Sequence, residues 1–165
     1  IFKGYTGGSH FKHTGGAAEH LCMSGKPDWD NLKVQDGVSG SKGYVYGTEY
    51  ETWGGSIGIG KSHFNYDVPC AVCRTVGSTS VLMIPGQTKC NTNWTKQYSG
   101  YLMTNSYRYA AAGEYLCVDR NAERIPGTHA SKDGNCLYAV EGRCGSLPCP
   151  PYRDGRELGC VVCSK

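Results

Sequence analysis

The stretch YTGGSHFKHTGGAAEHLCM, residues 5–23, returns later in the chain as YSGYLMTNSYRYAAAGEYLCV, residues 98–118. The second copy has two extra residues in its middle, and the features on either side of them keep the same order. The aligned pairs are Tyr5 with Tyr98, Gly7 with Gly100, Glu19 with Glu114, Leu21 with Leu116 and Cys22 with Cys117. A repeat of this kind indicates that one structural unit has been duplicated.

Two later features agree with the duplication. Tyr44-x-Tyr46-x-x-Glu49 has a looser counterpart in Tyr138-x-x-Glu141, and Cys70-Ala-Val-Cys73 corresponds to Cys160-Val-Val-Cys163. All of these features recur roughly ninety residues apart. We therefore predict two tandem subdomains, residues 1–76 and 84–165, that form one compact unit with a pseudo-twofold relation between its halves.

The composition favours an all-β fold with many short, disulfide-linked strands and little helix. The 165 residues include 24 glycines, and only 19% are charged. Because glycine costs roughly 1 kcal/mol relative to alanine inside a helix, long helices are disfavoured. Twelve tyrosines and ten cysteines disfavour disorder. Alternating or β-branched segments predict strands at 17–23, 43–53, 79–84, 97–103, 114–118, 137–143 and 158–164.

The charge and the cysteines predict a secreted, extracellular protein. A net charge of +3 without a dense Lys/Arg run argues against nucleic acid as a partner. No stretch approaches the roughly 20 apolar residues of a membrane span, so we expect no membrane partner. An even number of cysteines in a small glycine-rich chain is typical of disulfide-bonded extracellular proteins. The sequon Asn93-Trp94-Thr95 predicts glycosylation of Asn93.

One segment matches the phosphate-binding loop pattern letter for letter, Gly55-Ser-Ile-Gly-Ile-Gly60-Lys61-Ser62. That site needs a buried strand before the loop and a helix after it, whose N-terminus holds the phosphates. The residues that follow, 63–69, have no helical period. We interpret the segment as a glycine-rich loop and expect no cofactor.

Histidines of the first copy are weak candidates for a metal site. His10, His13 and His20 lie within eleven residues, so three imidazoles could converge. The matching region of the second copy carries tyrosines, which favours packing as the role of these rings. The two Cys-x-x-Cys pairs could form a four-thiolate zinc site, but six further cysteines favour disulfides. No bound metal is predicted.

No arrangement of nucleophile, base and acid predicts an enzyme. The acidic residues are scattered, and a glutamate that recurs in both copies fits a structural hydrogen bond better than a single active site. Aromatic side chains could form a sugar-binding platform, a subunit interface or two small cores. The tryptophans available for these roles are Trp29, Trp53 and Trp94.

Four motifs are informative when taken together: Gly7-Gly-Ser-His10, Glu19-His-Leu-Cys22, Cys144-Gly-Ser-Leu-Pro-Cys-Pro-Pro151 and Gly155-Arg-Glu-Leu-Gly-Cys-Val-Val-Cys163. In this order they resemble the globular domain of invertebrate short-chain collagen C4-like proteins. A second run is more distantly similar to the junction between the two subdomains of the collagen IV C-terminal non-collagenous domain. It consists of Cys70-Ala-Val-Cys73, Val81-Leu-Met-Ile84, Cys90, Trp94 and Tyr98-Ser-Gly-Tyr101. The likeness extends nearly from end to end.

The resemblance also implies a disulfide scheme. In the collagen domain, the first cysteine of each subdomain bonds to the last cysteine of its Cys-x-x-Cys, the middle cysteine bonds to the first of that motif, and a local bridge completes the set. Carried onto this sequence, the scheme gives Cys90–Cys163, Cys117–Cys160, Cys144–Cys149 and Cys22–Cys70. Cys73 and Cys136 are left over, and they either bond to each other or to a neighbouring chain. We favour the intrachain Cys73–Cys136 bond, because an odd thiol in a secreted protein seldom stays free.

The expected function is that of a non-enzymatic structural protein of an extracellular matrix or secreted fibre. The resemblance implies that the globular unit assembles with copies of itself, and other matrix proteins or glycans are further candidate partners. No Gly-X-Y repeat occurs in the sequence, so trimerisation through a collagen tail is not assumed. The alternative is a secreted lectin-like module that binds sugars through its histidine/tyrosine stretches and its tryptophans.

Overall fold

The computed structural model describes residues 1–29, 36–53, 57–60 and 62–165. The predicted all-β fold is confirmed, because the described residues form nine short strands and no α-helix. The segment that matches the phosphate-binding loop pattern is described only in part, because Gly55, Ser56 and Lys61 lie outside the described residues. The strands are β1 (Phe2–Gly8), β2 (Leu21–Ser24), β3 (Tyr46–Tyr50), β4 (Pro69–Val72), β5 (Val81–Pro85), β6 (Thr95–Thr104), β7 (Leu116–Asp119), β8 (Asn135–Ala139) and β9 (Gly159–Ser164).

The nine strands belong to one open, mixed sheet. Its main path runs β2-β1-β3-β8-β6-β9-β5, while β4 and β7 pair with β1 and β6 beside that path. The two halves meet where β3 runs parallel to β8, with Thr48 opposite Asn135 and Tyr50 opposite Leu137. The division at 1–76 and 84–165 and the pseudo-twofold relation stay predictions.

β1 and β6 are the central strands of their halves, and they use the same pairing pattern. One edge of β1 pairs with β2, and the other edge pairs first with β4 and then with β3. One edge of β6 pairs with β7, and the other edge pairs first with β9 and then with β8. The sequence repeat is therefore also a repeat of hydrogen-bonded strand pairs.

These registers correct the alignment of the two central strands. Gly4 lies opposite Cys70 of the first Cys-x-x-Cys, and Gly100 lies opposite Cys160 of the second. Gly4 therefore corresponds to Gly100, and the alignment of Gly7 with Gly100 is wrong by three residues.

Two disulfides cross these central strands. The structure contains four disulfides, and they are the four pairs that the resemblance implied: Cys22–Cys70, Cys90–Cys163, Cys117–Cys160 and Cys144–Cys149. Cys22–Cys70 joins β2 to β4 across β1, and its Cα atoms are only 5.6 Å apart. In a regular sheet, the two strands that flank a central strand are about 9.5 Å apart. The bond therefore holds these neighbours unusually close over the central strand, and Cys117–Cys160 does the same over β6, at 5.7 Å.

Glycine at the crossing point makes this close approach possible. A Cβ atom at Gly4 would overlap the carbonyl oxygen of Met23 on β2. A Cβ atom at Gly100 would overlap the carbonyl oxygen of Val118, at the corresponding place on β7. The same steric requirement therefore holds in both halves.

The sequence patterns predict seven of the nine strands and miss β1 and β4. β1 reads FKGYTGG, and three glycines in seven residues hide its strand character. β4 reads PCAV and coincides with the first Cys-x-x-Cys, which the sequence indicates only as a disulfide motif.

The main hydrophobic core lies where the first half packs on the second. Each aliphatic side chain that is buried in this core contributes about 1.5–3 kcal/mol to stability, so the two halves stabilise each other. Its buried members are Tyr50, Ile57, Ile59 and Val68 from the first half, with Met103 and Leu137 from the second.

We predict that Gly100→Ala lowers the free energy of unfolding by about 2–4 kcal/mol, because the added methyl group must displace the β7 backbone. Denaturant unfolding of the oxidised protein measures the change. Gly47→Ala is the matched control, because a Cβ at Gly47 of β3 meets nothing within 4 Å. Equal stability of the two variants would contradict the close-approach explanation.

Candidate functional site

The favoured intrachain Cys73–Cys136 bond is wrong, because both cysteines are free thiols. Cys73 is exposed just after β4, whereas Cys136 is buried in β8 with only 2% of its surface exposed. Cys136 lies opposite Glu49 in the parallel strand pair. One thiol is thus buried inside the sheet and the other is exposed, and the two are not bonded to each other.

Cys136 belongs instead to a group that we call the carboxylate–thiol cluster, formed by Glu51, Asp133 and Cys136. One carboxylate oxygen from each acid and the Cys136 sulfur all lie within 4.8 Å of one another. Glu51 directly follows β3, and Asp133 precedes β8 with a left-handed φ of 52°. The parallel pairing of β3 with β8 therefore brings the three groups together. Among the described residues, this is the one place where three metal-competent side chains converge.

Glu49 is a buried acid beside this cluster. Its residue is 2% exposed, and its Oε1 accepts a hydrogen bond of 2.9 Å from the backbone N–H of Lys132. Its other oxygen, Oε2, is buried and has no hydrogen-bond partner. The nearby Lys132 ammonium donates to both carboxylate oxygens of Asp67, at 2.8 Å each, so its charge is engaged with that acid.

Burial and like charge raise the pKa values of two members of the cluster, Glu51 and Cys136. Burial, followed by the negative charges of Glu49 and Asp133, raises the pKa of Glu51 from 4.5 to about 7. Burial and the charge of Glu51 raise the pKa of the Cys136 thiol to about 12. Burial also raises the pKa of Glu49. Glu51 and Cys136 therefore hold their protons more tightly than an ordinary carboxyl and an ordinary thiol do.

The three candidate histidines do not form a metal site. His10 and His13 stack on each other with ring centroids 4.6 Å apart, and both contact the ring of Tyr46 edge-on. His20 does not join them in a group of three metal-competent side chains. Its backbone N–H donates to Glu114 Oε1 at 2.7 Å, and burial lowers the pKa of its imidazole. Packing, which the sequence favoured for these rings, describes His10 and His13 well.

A shallow basic pocket of about 420 Å³ opens beside the stacked histidines. Besides glycine, serine and threonine residues, its walls include His10, Lys12, His13, Lys42 and Tyr44. Burial, together with the positive charge of Lys12 and the neighbouring His13, lowers the pKa of His10. The pocket offers aromatic faces and ammonium groups to an oxygen-rich ligand.

The remaining predicted site residues lie at the surface or near it. Asn93 is exposed in the turn before β6, with a φ of 68°, so its side chain is accessible for glycosylation. Trp29 and Trp53 are exposed, and Trp53 packs edge-on against Phe64.

An apolar surface of the first half is uncovered, and we call it the open face. It consists of Tyr5 on β1 with Leu21 and Met23 on β2, which are 54%, 53% and 38% exposed. Tyr5 lies opposite Met23, so the three side chains share one side of the sheet.

The equivalent face of the second half is covered. By register, Tyr5, Leu21 and Met23 correspond to Tyr101, Leu116 and Val118. These three side chains pack against the core that contains Ile57 and Ile59 of the first half. The Gly58 backbone N–H also donates a hydrogen bond of 2.9 Å to the Tyr101 hydroxyl. The two halves thus differ in what lies over the same sheet surface.

We call the first-half segment around Ile57 and Ile59 the covering segment. Loop 142–156 is its counterpart in the second half. An isolated antiparallel β-bridge joins the two ends of each segment. It pairs Glu49 with Asp67 in the first half and Glu141 with Glu157 in the second half. The second segment contains the Cys144–Cys149 disulfide, and most of its residues are exposed.

Comparison with known proteins gives no family model and no solved structure that matches this chain. The described residues include no helix that is long and apolar enough to cross a membrane. The four disulfides indicate folding in an oxidising compartment, in agreement with the predicted secretion.

Sequence reasoning missed both the carboxylate–thiol cluster and the open face. The only local signal for the cluster is Glu49-x-Glu51, whose spacing places both acids on one side of a strand. The open face carries no signal, because its residues look like ordinary core positions of a strand.

We predict that one thiol reacts rapidly with an aromatic disulfide reagent in the native protein, and two react after denaturation without reduction. Cys73 is exposed, whereas burial and a raised pKa should slow Cys136 by at least about 100-fold. Cys73→Ser should remove the fast reaction and leave the slow one. Absence of free thiols in the denatured protein would contradict this assignment.

We also predict that Glu51→Gln stabilises the metal-free protein at about pH 8 but not at about pH 4.5. Because folding raises the Glu51 pKa from 4.5 to about 7, native stability is lost as the pH rises through this window. The amide removes that loss, by about 1 kcal/mol, since the half-exposed carboxyl is partly screened. Urea unfolding measures the difference, with the exposed Glu19→Gln as control; a gain of equal size at both pH values would contradict it.

Proposed function

We propose that this protein is a non-enzymatic extracellular structural protein that assembles with copies of itself in a head-to-tail manner. Loop 142–156 of one copy would cover the open face of the next copy. The observation that carries the proposal is the contrast between the two halves, in which one apolar sheet face is covered and its equivalent is exposed.

The covered face supplies the geometry of the proposed contact. There, the segment around Ile57 and Ile59 buries apolar side chains of β6 and β7 and adds the hydrogen bond from Gly58 to Tyr101. An equivalent contact between copies would bury Tyr5, Leu21 and Met23. Exposed apolar groups that lie together favour protein–protein contact, and rigid aromatic area is enriched in such interfaces.

Loop 142–156 is suited to enter such a contact because it is rigid. The Cys144–Cys149 bridge closes its tip, and the Cys144 backbone N–H donates to Asp154 Oδ1 at 2.9 Å. The Gly155 N–H donates to the Gly142 carbonyl at 2.8 Å across the base of the loop. A preorganised loop loses little conformational entropy on binding.

A contact between two different surfaces is heterologous, so it forms a ring if the rotation closes and a filament if it does not. This agrees with the assembling extracellular scaffold that the resemblance to the globular domains of short-chain collagen C4-like proteins and collagen IV implies. The oxidising compartment indicated by the disulfides is also the compartment of such scaffolds.

A lectin-like module is the second candidate, and the basic pocket is the observation that favours it. Stacked histidines beside Tyr44 and Tyr46 offer ring faces to a sugar, and Lys12 and Lys42 offer donors to acidic groups. This function would not require the open face or loop 142–156.

Complementation between two variants tests the head-to-tail contact. Leu21→Glu places a charge on the open face, and Leu147→Glu places one in loop 142–156, so each variant alone should be monomeric in sedimentation velocity. Their mixture should form a heterodimer, because one partner keeps an intact face and the other an intact loop. Val76→Glu, at a 96% exposed position away from both surfaces, should assemble like the unmodified protein.

Near-UV circular dichroism verifies that each variant is folded. A monomeric unmodified protein at about 100 μM, or assembly that both charges leave unchanged, would contradict the proposal, since specific contacts are commonly tighter than this. Specific glycan binding by a protein that stays monomeric would favour the lectin-like module instead.

A further inference from the structure

The carboxylate–thiol cluster combines three potential ligands at graded depth. The Cys136 sulfur is buried at its base, Glu51 is half-buried, and Asp133 is exposed at its rim. All three ligand atoms lie within 4.8 Å of one another. A site with a buried anchor and an exposed rim has a path by which an ion can enter from solvent.

Glu49 is a second, independent observation that points to a cation at this place. Glu49 and Cys136 are register partners, so their side chains leave the parallel pair on the same side of the sheet. Glu49 and Glu51 are two residues apart along the chain, so their side chains also lie on one side of the sheet. The Glu49 Oε2 atom is buried without a hydrogen-bond partner. A buried carboxylate oxygen without a partner is costly, and a cation would satisfy it.

Among the described residues, Glu49, Glu51 and Asp133 have no ion pair with a lysine or an arginine. Lys132, whose charge acts on Glu49, directs its ammonium group to Asp67 at 2.8 Å. The other titratable side chain that interacts with Glu51 is Tyr138, which is neutral at physiological pH because burial raises its pKa. Within the part of the chain that the structure describes, these three carboxylates and the thiol therefore have no ion-pair partner of their own.

We propose that Cys136, Glu51 and Asp133 bind one Zn²⁺ ion, with Glu49 beside the site as acceptor for a bound water. Zn²⁺ takes thiolate and carboxylate ligands in a tetrahedral arrangement, whereas Ca²⁺ and Mg²⁺ take oxygen ligands and do not use the thiol. Binding replaces the thiol proton, so one Zn–S bond forms and one proton is released to solvent. The ion would join β3 to β8 at the seam between the two halves.

Co²⁺ serves as the spectroscopic probe for this site. The experiment uses the full, disulfide-intact chain carrying Cys73→Ser, which removes the exposed thiol as a competing ligand. We expect one Co²⁺ per chain, a sulfur-to-cobalt charge-transfer band, and loss of that band when one equivalent of Zn²⁺ is added. Cys136→Ser should abolish the band, and Glu51→Gln and Asp133→Asn should each weaken binding at least about tenfold.

Thermal unfolding separates a ligand role from a structural role. Zn²⁺ should raise the melting temperature of the Cys73→Ser protein and of its Glu19→Gln control, because it binds only the native state. Glu51→Gln should lose this gain while its metal-free form stays at least as stable as the parent protein. If Cys136→Ser does not fold, the Glu51→Gln and Asp133→Asn variants still test whether the cluster binds the ion.

Three results would overturn the zinc site. They are a folded Cys73→Ser protein without a charge-transfer band, a band that persists in Cys136→Ser, and an equal zinc-induced gain in Glu51→Gln. None of these measurements depends on assembly, so the zinc site and the proposed structural function fail or succeed separately.

Discussion

The parallel pairing of β3 with β8 is the contact on which the rest of the molecule depends. Only three residues of each strand take part, from Thr48–Asn135 to Tyr50–Leu137, yet this pair connects the strands of both halves into one sheet. It places Tyr50 and Leu137 at the centre of the shared core. It also sets Glu49 against Cys136, so the buried polar cluster and the hydrophobic core lie on the same seam.

The sequence was sufficient for the strand content but not for the way strands meet. Seven strands follow from alternation, and the four disulfides follow from a family resemblance. The alignment error arises because two tyrosines, Tyr98 and Tyr101, lie close to Gly100. Matching Tyr5 to Tyr98 instead of Tyr101 shifts β1 by three residues relative to β6. The parallel pair joins residues more than eighty positions apart without a connecting helix, and no periodicity reveals such a contact. For that reason the cluster of Glu51 with Cys136 was invisible in the sequence.

The two halves pair their strands in the same pattern, but they differ in what packs over the sheet. The second half receives a cover from the first half, and this cover buries the residues that correspond to Tyr5, Leu21 and Met23. In both halves a disulfide pulls neighbouring strands together over a glycine, Gly4 in the first and Gly100 in the second. The proposed head-to-tail contact would use this difference, with the face that is covered in the second half and exposed in the first.

The contrast between Cys73 and Cys136 has a consequence for how the disulfides persist. Exchange among disulfides begins when a thiolate attacks a neighbouring sulfur and forms a mixed disulfide. Cys136 is removed from this chemistry because it is buried and holds its proton. Of the ten cysteines, Cys73 alone remains as an internal attacking group, and it is exposed three residues from the bonded Cys70. Scrambling of the native bonds in the folded molecule therefore has a single point of origin, at the end of β4.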